Sequence, residues 1–553
     1  MRIVIDTDVV VLAPDGVELR ADVYRPENGV HPALVHRTPY GKGLDRSDFY
    51  RVGRLVAGGY AVIVQDTRGR FASAGRFTGL TPEMWAVEGR DTYGTVEWAA
   101  RQPWCDGAVG MFGASFAGAL CWLGAMARPP HLRAVVPMLI GDRETAHLDT
   151  GGAFWLHTWV SWYLSAAGAD KGCASVVEHL PVAQCPLFDR PEIPVTLKEI
   201  LHGDAAGTPP AFAAERVAVP MLLVGGWYDF YAARMIDQFH RLRESSAERV
   251  RGEHRLVMGP WTHDSAGPVQ GELNFGAVSA GLGVVQPAML SFFDRHLKGR
   301  GTDSPADSAP VRYFVPGESR WRDAESWPPT GAGTRVWYLH AGGALTDARP
   351  TLDEPPDTYR YDPADPVRTL GGRVAGNISA RGPAGPRDQR ILADRADTLA
   401  YTTPALDRPL VLAGHATVHA FTSTSAVDTD FCARLVDIHP DGRAMLITAG
   451  LARARYRKGA DREVLVEPGA IEEYEICLGP LAYRLDRGHR LGVLVCSSDF
   501  PWFDRNMNTG RALGTDATPV VARQAIFHDP AHPSRLQIHT TAPEGPAVTG
   551  SGE

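Results

Sequence analysis

Clustered cysteines are missing from this chain. Its seven cysteines never fall in a C-x-x-C spacing, and most have apolar flanks, as in Leu120-Cys121-Trp122 and Val495-Cys496. Buried free thiols in a reducing compartment, the cytoplasm, are the expectation. Also absent are an H-E-x-x-H helix, a P-loop and an EF-hand loop, so no metal and no cofactor is expected. Positive charge is not in excess: 56 Lys and Arg against 64 Asp and Glu leave a net charge of −8. That balance argues against nucleic acid as a partner. By inspection no apolar run reaches the length of a bilayer span. Met1-Arg-Ile-Val-Ile-Asp6 enters a strand-like alternation without an apolar leader, so no membrane is expected. Internal repeats and low-complexity segments are lacking too. What remains is the composition of a globular enzyme, 44% hydrophobic and 22% charged, with 553 residues, too many for one core.

The pattern of elements divides the chain into four segments. Residues 1–141 alternate buried strands (Ala33–His36, Tyr60–Gln65, Ala108–Phe112, Ala134–Ile140) with helices (Glu83–Ala100 and one from Phe116). Such alternation predicts a mostly parallel sheet with right-handed crossovers. Residues 142–217 break it with the aromatic-rich, helical stretch Phe154–Leu164 and a second candidate helix, Val195–Leu201, which together suggest a cap. Residues 218–330 resume with strands Val219–Val224 and Arg255–Met258 and a helix Val285–Lys298. Residues 331–553 turn to short alternating runs such as Ala416–Phe421, separated by Gly, Pro and Asp clusters, the pattern of an all-β sandwich. The last dozen residues are polar and expected to fray.

The most informative stretch is Gly110-Met-Phe-Gly-Ala-Ser-Phe-Ala-Gly118. It sets Ser115 at a sharp turn between a strand and a small-residue helix, where the backbone lifts the hydroxyl clear. A serine hydroxyl also needs a base, and the base a carboxylate. Asp229, in Gly225-Gly-Trp-Tyr-Asp229, and His263, in Gly259-Pro-Trp-Thr-His263, each follow a predicted strand. The order Ser115, Asp229, His263 is that of α/β-hydrolases. Taken singly, Asp229 reads as a turn or N-cap residue and His263 as a loop histidine. Asp264 is discounted as the orienting acid, because adjacent side chains seldom present their far atoms to each other. Two oxyanion donors are expected: the backbone N–H of Phe116 and the hydroxyl of Tyr40 in Arg37-Thr-Pro-Tyr40. Asp66-Thr-Arg-Gly69 reads as a structural turn with a buried ion pair. The series Trp155, Trp159, Trp162 has the spacing of a core-packing helix face, with a pocket-lining role as the alternative.

These motifs, with Trp104-Cys-Asp-Gly107, Phe293-Asp-Arg-His-Leu297, Tyr361-Asp-Pro-Ala-Asp-Pro366 and Val427-Asp-Thr-Asp-Phe431, resemble the CocE/NonD family of serine hydrolases in order and over nearly the whole chain. The resemblance implies an α/β-hydrolase domain split by a helical cap and followed by a jelly roll. It puts Ser115, Asp229 and His263 on the triad positions and Tyr40 and Phe116 on the oxyanion positions. Phe116 stands where the family has Tyr, and the second elbow glycine is displaced from position 117 to Gly118. By the same resemblance Trp162 and Tyr231 match substrate-holding aromatics, while His147 replaces one, which implies a different acyl group. The expected partner is a small-molecule ester or amide, with homo-oligomerisation possible. The open alternatives are an acyltransferase, an X-Pro or α-amino acyl peptidase, and a binding protein with a vestigial site.

Overall fold

The structure, a computed structural model, describes residues 2–43, 47–77, 81–141, 151–166, 172–190, 212–301, 309–375, 384–459 and 462–541. The N-terminal pair β1 (Ile3–Leu12) and β2 (Glu18–Pro26) leads into β3 (His31–Thr38), helix α1 (Val52–Ala57) and β4 (Ala61–Asp66). Helix α2 (Pro82–Ala100) starts at Thr81, whose hydroxyl accepts the Met84 N–H, with Pro82 in the first turn. Then come β5 (Cys105–Ala114), α3 (Phe116–Ala127) and β6 (Leu132–Met138). The insertion contributes α4 (Leu156–Ala166), α5 (Cys173–Glu178) and short 3-10 turns, with no named strand among the described residues. The candidate helix at Val195–Leu201 and the C-terminal dozen residues lie outside the described residues. Alternation resumes with β7 (Leu222–Tyr228), α6 (Ala232–Ser245), β8 (Arg255–Thr262), the ribbon β9 (Val269–Gln270) and β10 (Leu273–Asn274), α7 (Gly281–Lys298), β11 (Val311–Val315) and β12 (Arg320–Ala324).

These strands form one ten-stranded sheet, ordered β1-β2-β4-β3-β5-β6-β7-β8-β11-β12. From β4 to β11 every neighbour is parallel, and the antiparallel strands sit at the two edges. Period-two alternation feeds both faces. Leu34, Val62, Val64 and Phe112 point to the side covered by Leu55 and Val56 of α1 and Met289, Phe292 and Phe293 of α7. Val35, Ile63 and Met111 point to the side covered by α2, α3 and α6. The result is a doubly wound sheet whose strand ends open toward the insertion. One expectation needs correcting: Ala277–Lys298 does have the length and mean hydropathy (1.2) of a bilayer span. Here its apolar face, including Met289, Phe292 and Phe293, packs against the sheet.

Among the described residues the C-terminal portion is all-β apart from one turn of α-helix, Arg390–Ala393, and the 3-10 turn Ala454–Tyr456. It runs from β13 (Gly333–His340) to β23 (Arg535–Thr541) and includes β17 (Leu410–Thr424), β18 (Asp430–Ile438), β19 (Ala444–Arg453), β20 (Glu472–Leu485) and β21 (Arg490–Cys496). Its own core gathers Leu412, Val418, Phe431, Leu435, Ile476, Val493 and Ile538. The Val427–Phe431 motif has a structural role there. Asp430 accepts both Nε and Nη2 of Arg453 at 2.9 Å, and Asp428 accepts Nε of Arg455 at 2.9 Å, all buried. Arg453 also pairs with Asp504 at 3.0 Å, whose carboxylate accepts the Phe154 N–H at 2.9 Å. His157 N–H donates to the Pro501 carbonyl at 3.0 Å. The β-domain therefore holds the start of cap helix α4 through a buried charge network. Removing one member of such a pair costs about 3–5 kcal/mol.

Candidate active site

Ser115 stands between β5 and α3 at φ 56°, ψ −124°, a conformation side chains of L-residues avoid. Two bonds hold it there: its N–H donates to Met138 O at 2.9 Å, and its carbonyl accepts the Ala119 N–H at 3.0 Å. Small neighbours make the turn possible. A Cβ on Gly113 would stand 2.6 Å from the Ala117 Cβ, and one on Gly118 would stand 2.9 Å from both Met138 O and Ile140 Cγ2. The displaced glycine therefore lies where α3 crosses β6, and position 117 accommodates alanine.

Asp229 and His263 lie just beyond the ends of β7 and β8. His263 Nε2 is 3.0 Å from Ser115 Oγ, and His263 Nδ1 is 2.6 Å from Asp229 Oδ2. The other Asp229 oxygen accepts the Tyr231 N–H at 2.7 Å, and the residue is fully buried. Burial pushes the His263 imidazole down, but the Asp229 charge and hydrogen bond outweigh it and leave the pKa above its ordinary 6.5. Phe230 packs over the imidazole with ring centroids 4.5 Å apart. Asp229, and not Asp264, meets the ring nitrogen. The arrangement can move a proton from the serine hydroxyl to the imidazole and hold the resulting cation.

Tyr40 closes the other side. Its hydroxyl accepts Trp162 Nε1–H at 3.2 Å and lies within hydrogen-bonding reach of Ser115 and the Phe116 N–H. Although the residue is 44% exposed, it faces the cavity it lines. Burial of the phenol raises its pKa against those hydrogen bonds and the Arg70 charge, so it remains a neutral donor. The cavity over Ser115 holds about 430 Å³, and its walls include Trp85, Phe116, Trp159, Trp162, Phe230 and Tyr231. The Phe116 ring is layered between Trp85 at 5.0 Å and Trp162 at 6.2 Å.

The structure thus gathers Ser115, Asp229, His263, Tyr40, Phe116, Trp162 and Tyr231 at one cavity, while His147 lies outside the described residues. Of the tryptophan series, Trp159 and Trp162 line the cavity and Trp155 packs behind it on Phe230. The cavity also takes in Trp85 of α2 and Phe230 beside Tyr231, which no sequence motif singles out. Nor does any motif single out Arg70, whose Nε donates to Pro39 O at 2.9 Å and Nη1 to Ala166 O at 2.8 Å, tying the Tyr40 turn to the cap. The Asp66–Gly69 turn does carry an ion pair, from Arg68 to buried Asp91 at 2.7 Å.

Fold and site together define an α/β-hydrolase of the serine class. The family model of the X-Pro dipeptidyl-peptidase (S15 family) matches residues 15–182 and 199–265, and that of the X-Pro dipeptidyl-peptidase C-terminal non-catalytic domain matches 304–537. The second match begins before β11 and β12, which belong to the α/β sheet. The chain is 34% identical to a cocaine esterase from Rhodococcus sp. (strain MB1 Bresler), covering 96% of this chain and 98% of the relative. It is similar to the crystal structure of an aminopeptidase from a marine sediment Thaumarchaeota archaeon (25% identity, TM-score 0.85, 98% and 97% covered). A CocE/NonD family hydrolase from Staphylococcus aureus shares the fold at 18% identity (TM-score 0.70, 98% and 94% covered). The chain belongs to the CocE/NonD family of serine hydrolases. It is an esterase-type enzyme cleaving ester or amide bonds.

Proposed function

We propose that Ser115 is the nucleophile, His263 its general base and Asp229 the carboxylate that orients His263. The single observation that carries this reading is the bridging imidazole, 3.0 Å from Ser115 Oγ and 2.6 Å from Asp229. Ser115 Oγ attacks the acyl carbon as its proton passes to His263 Nε2. The oxyanion that forms takes hydrogen bonds from Tyr40 Oη and the Phe116 N–H. Collapse of the tetrahedral species breaks the bond to the leaving group, which departs with the His263 proton and leaves acyl-Ser115. Water then repeats the sequence through His263, releasing the acid and restoring the hydroxyl. The aromatic walls fit an apolar acyl group of small-molecule size. Trp85 Nε1 and Thr158 Oγ1, buried polar atoms without a partner on lining residues, suit an acceptor on that group. Seven cysteines outside any disulfide, five of them buried, fit a cytoplasmic enzyme.

A second reading, an X-Pro or α-amino acyl peptidase, draws on the family models and on Asp48 and Asp264 in the cavity lining, where an ammonium could sit. Intact-protein mass spectrometry after fluorophosphonate treatment tests the nucleophile, with turnover of p-nitrophenyl acetate, p-nitrophenyl butyrate and Gly-Pro-p-nitroanilide beside it. One adduct in wild type and none in Ser115→Ala is expected, with ester turnover lost in the variant. Faster anilide than ester cleavage would favour the peptidase. Unchanged labelling and turnover in folded Ser115→Ala would overturn both readings. A product trapped only with an added alcohol or amine would mark acyl transfer.

A further inference from the structure

One cluster in the β-domain has no part in the hydrolase chemistry. Asp437 near the end of β18, His439 in the turn that follows, and His489 just before β21 bring their ligand atoms within 4.8 Å of one another. Asp437 Oδ1 is 2.8 Å from His489 Nδ1, and Oδ2 is 3.4 Å from His439 Nε2. Tyr483 on β20 donates its hydroxyl to Oδ2 at 3.1 Å. The two imidazole rings lie 4.4 Å apart at 41°.

Backbone bonds fix all three residues. His439 N–H donates to Arg443 O at 2.8 Å, and Gly442 N–H returns to His439 O at 2.9 Å. The His489 carbonyl accepts the Leu406 N–H at 2.8 Å. Asp437 lies on β18, paired with β21 in register through Asp437↔Leu491. The carboxylate is 3% exposed and the rings 20% and 15%, so an ion has a way in. Hydrogen bonding alone leaves the cluster incomplete, because buried His439 Nε2 has no hydrogen-bond partner. A buried polar atom without a hydrogen-bond partner is unfavourable, and a cation would supply the partner this nitrogen lacks.

We propose that Asp437, His439 and His489 bind a divalent transition ion of the zinc type. His439 Nε2, His489 Nδ1 and an Asp437 oxygen would be the ligands, with a fourth position for water. Two imidazoles and one carboxylate are the donor set zinc accepts. Binding replaces the His489–Asp437 hydrogen bond: the Nδ1 proton is released, or the ring takes its other tautomer with the proton on Nε2. Tyr483 keeps its bond to Oδ2 and orients the carboxylate. The ion would clasp the β18–β19 turn to the β20–β21 turn. None of the three ligands lines the cavity over Ser115, so the site braces the β-domain and is independent of catalysis.

The test uses the full chain, stripped with a chelator, loaded with Zn2+ and freed of excess metal. Wild type is expected to keep roughly one zinc per chain, to melt at a higher temperature than the stripped protein, and to give Co2+ visible bands of tetrahedral coordination. His439→Gln and His489→Ala should bind at least about 100-fold more weakly, and Tyr483→Phe about 10–100-fold. Metal-free ester turnover in the two histidine variants should equal wild type, which also verifies their folding. No retained zinc in wild type overturns the proposal. So does equal retention in both histidine variants, since the ion would then sit elsewhere, as at His263.

Discussion

Replacing Tyr40 with phenylalanine removes one hydroxyl from the site and changes little else. In the resting enzyme that hydroxyl accepts Trp162 Nε1–H at 3.2 Å and sits within hydrogen-bonding reach of Ser115 and the Phe116 N–H. Loss of the neutral Trp162 bond costs about 1 kcal/mol, too little to unfold the domain. On the proposed mechanism the effect on turnover is larger, because the donor is aimed at charge that exists only after Ser115 attacks. With one of two oxyanion donors gone, kcat should fall about 10²–10³-fold, about 2.7–4 kcal/mol. The Phe116 N–H remains and accounts for the residual activity. Since the lost interaction belongs to the transition state, kcat and kcat/KM should fall together with KM nearly constant. Steady-state kinetics on p-nitrophenyl butyrate, with fluorophosphonate labelling to count intact Ser115, measures this. A kcat within about threefold of wild type would refute the oxyanion role and leave the triad standing. Trp162→Phe, which removes the hydrogen bond to Tyr40 and trims a cavity wall but keeps the Tyr40 hydroxyl, should lose less kcat than Tyr40→Phe on the same substrate.

Three further outcomes are expected. The proposed general base His263 must be neutral to accept a proton, and Asp229 holds its pKa above 6.5, so kcat/KM should rise with pH along an acid limb whose midpoint exceeds that value. Asp229→Asn removes the raising partner and leaves the lowering effect of burial, so the limb should move to lower pH while its plateau drops on the order of 10⁴-fold; pH–rate profiles would expose an unmoved midpoint. Arg70→Met cuts the links to Pro39 O and Ala166 O and should lower kcat through a displaced Tyr40, with partial recovery in Arg70→Lys; equal activity would deny Arg70 a positioning role. Gly118→Ala sets a methyl against Met138 O and Ile140. Overpacking of about 1–3 kcal/mol outweighs the helix gain of about 1 kcal/mol, so calorimetry should find a lower melting temperature and kinetics a damaged elbow.

Much of the candidate site was legible because each proposed reacting group follows a strand, and strands announce themselves through period-two burial. Gly110–Gly118 encodes a strand, a turn and a helix within nine residues. Asp229 and His263 sit one residue past the ends of β7 and β8, where parallel sheets place their chemistry. What stayed hidden are relations across the fold. Trp85 looks like any apolar residue of α2, and nothing local says that its ring meets Phe116 at 5.0 Å. Arg70 follows a turn motif as one more surface charge, yet it links two segments 127 residues apart (166 − 39). Asp437, His439 and His489 lack the tight spacing of a metal motif because two hairpins, not one helix, assemble them.

The same contrast explains why the β-domain belongs to the catalytic unit. A parallel sheet can fix Ser115, Asp229 and His263 by itself, since each directly follows the end of a strand. It cannot fix Trp162, which rides on α4 in an insertion with no named strand among its described residues. That helix is held at its start by Arg453, Asp430 and Asp504 and by the His157–Pro501 bond, and at its end by Arg70. Trp162 in turn donates to Tyr40. On the proposed mechanism, the cavity walls and the second oxyanion donor therefore depend on a buried ion network in a domain that contributes no reacting atom, whereas the Ser115–His263–Asp229 relay does not. Breaking that network at Asp504→Asn should accordingly raise KM and lower kcat while fluorophosphonate still reaches Ser115. Complete loss of labelling in a folded Asp504→Asn protein would mean that the relay too leans on the β-domain.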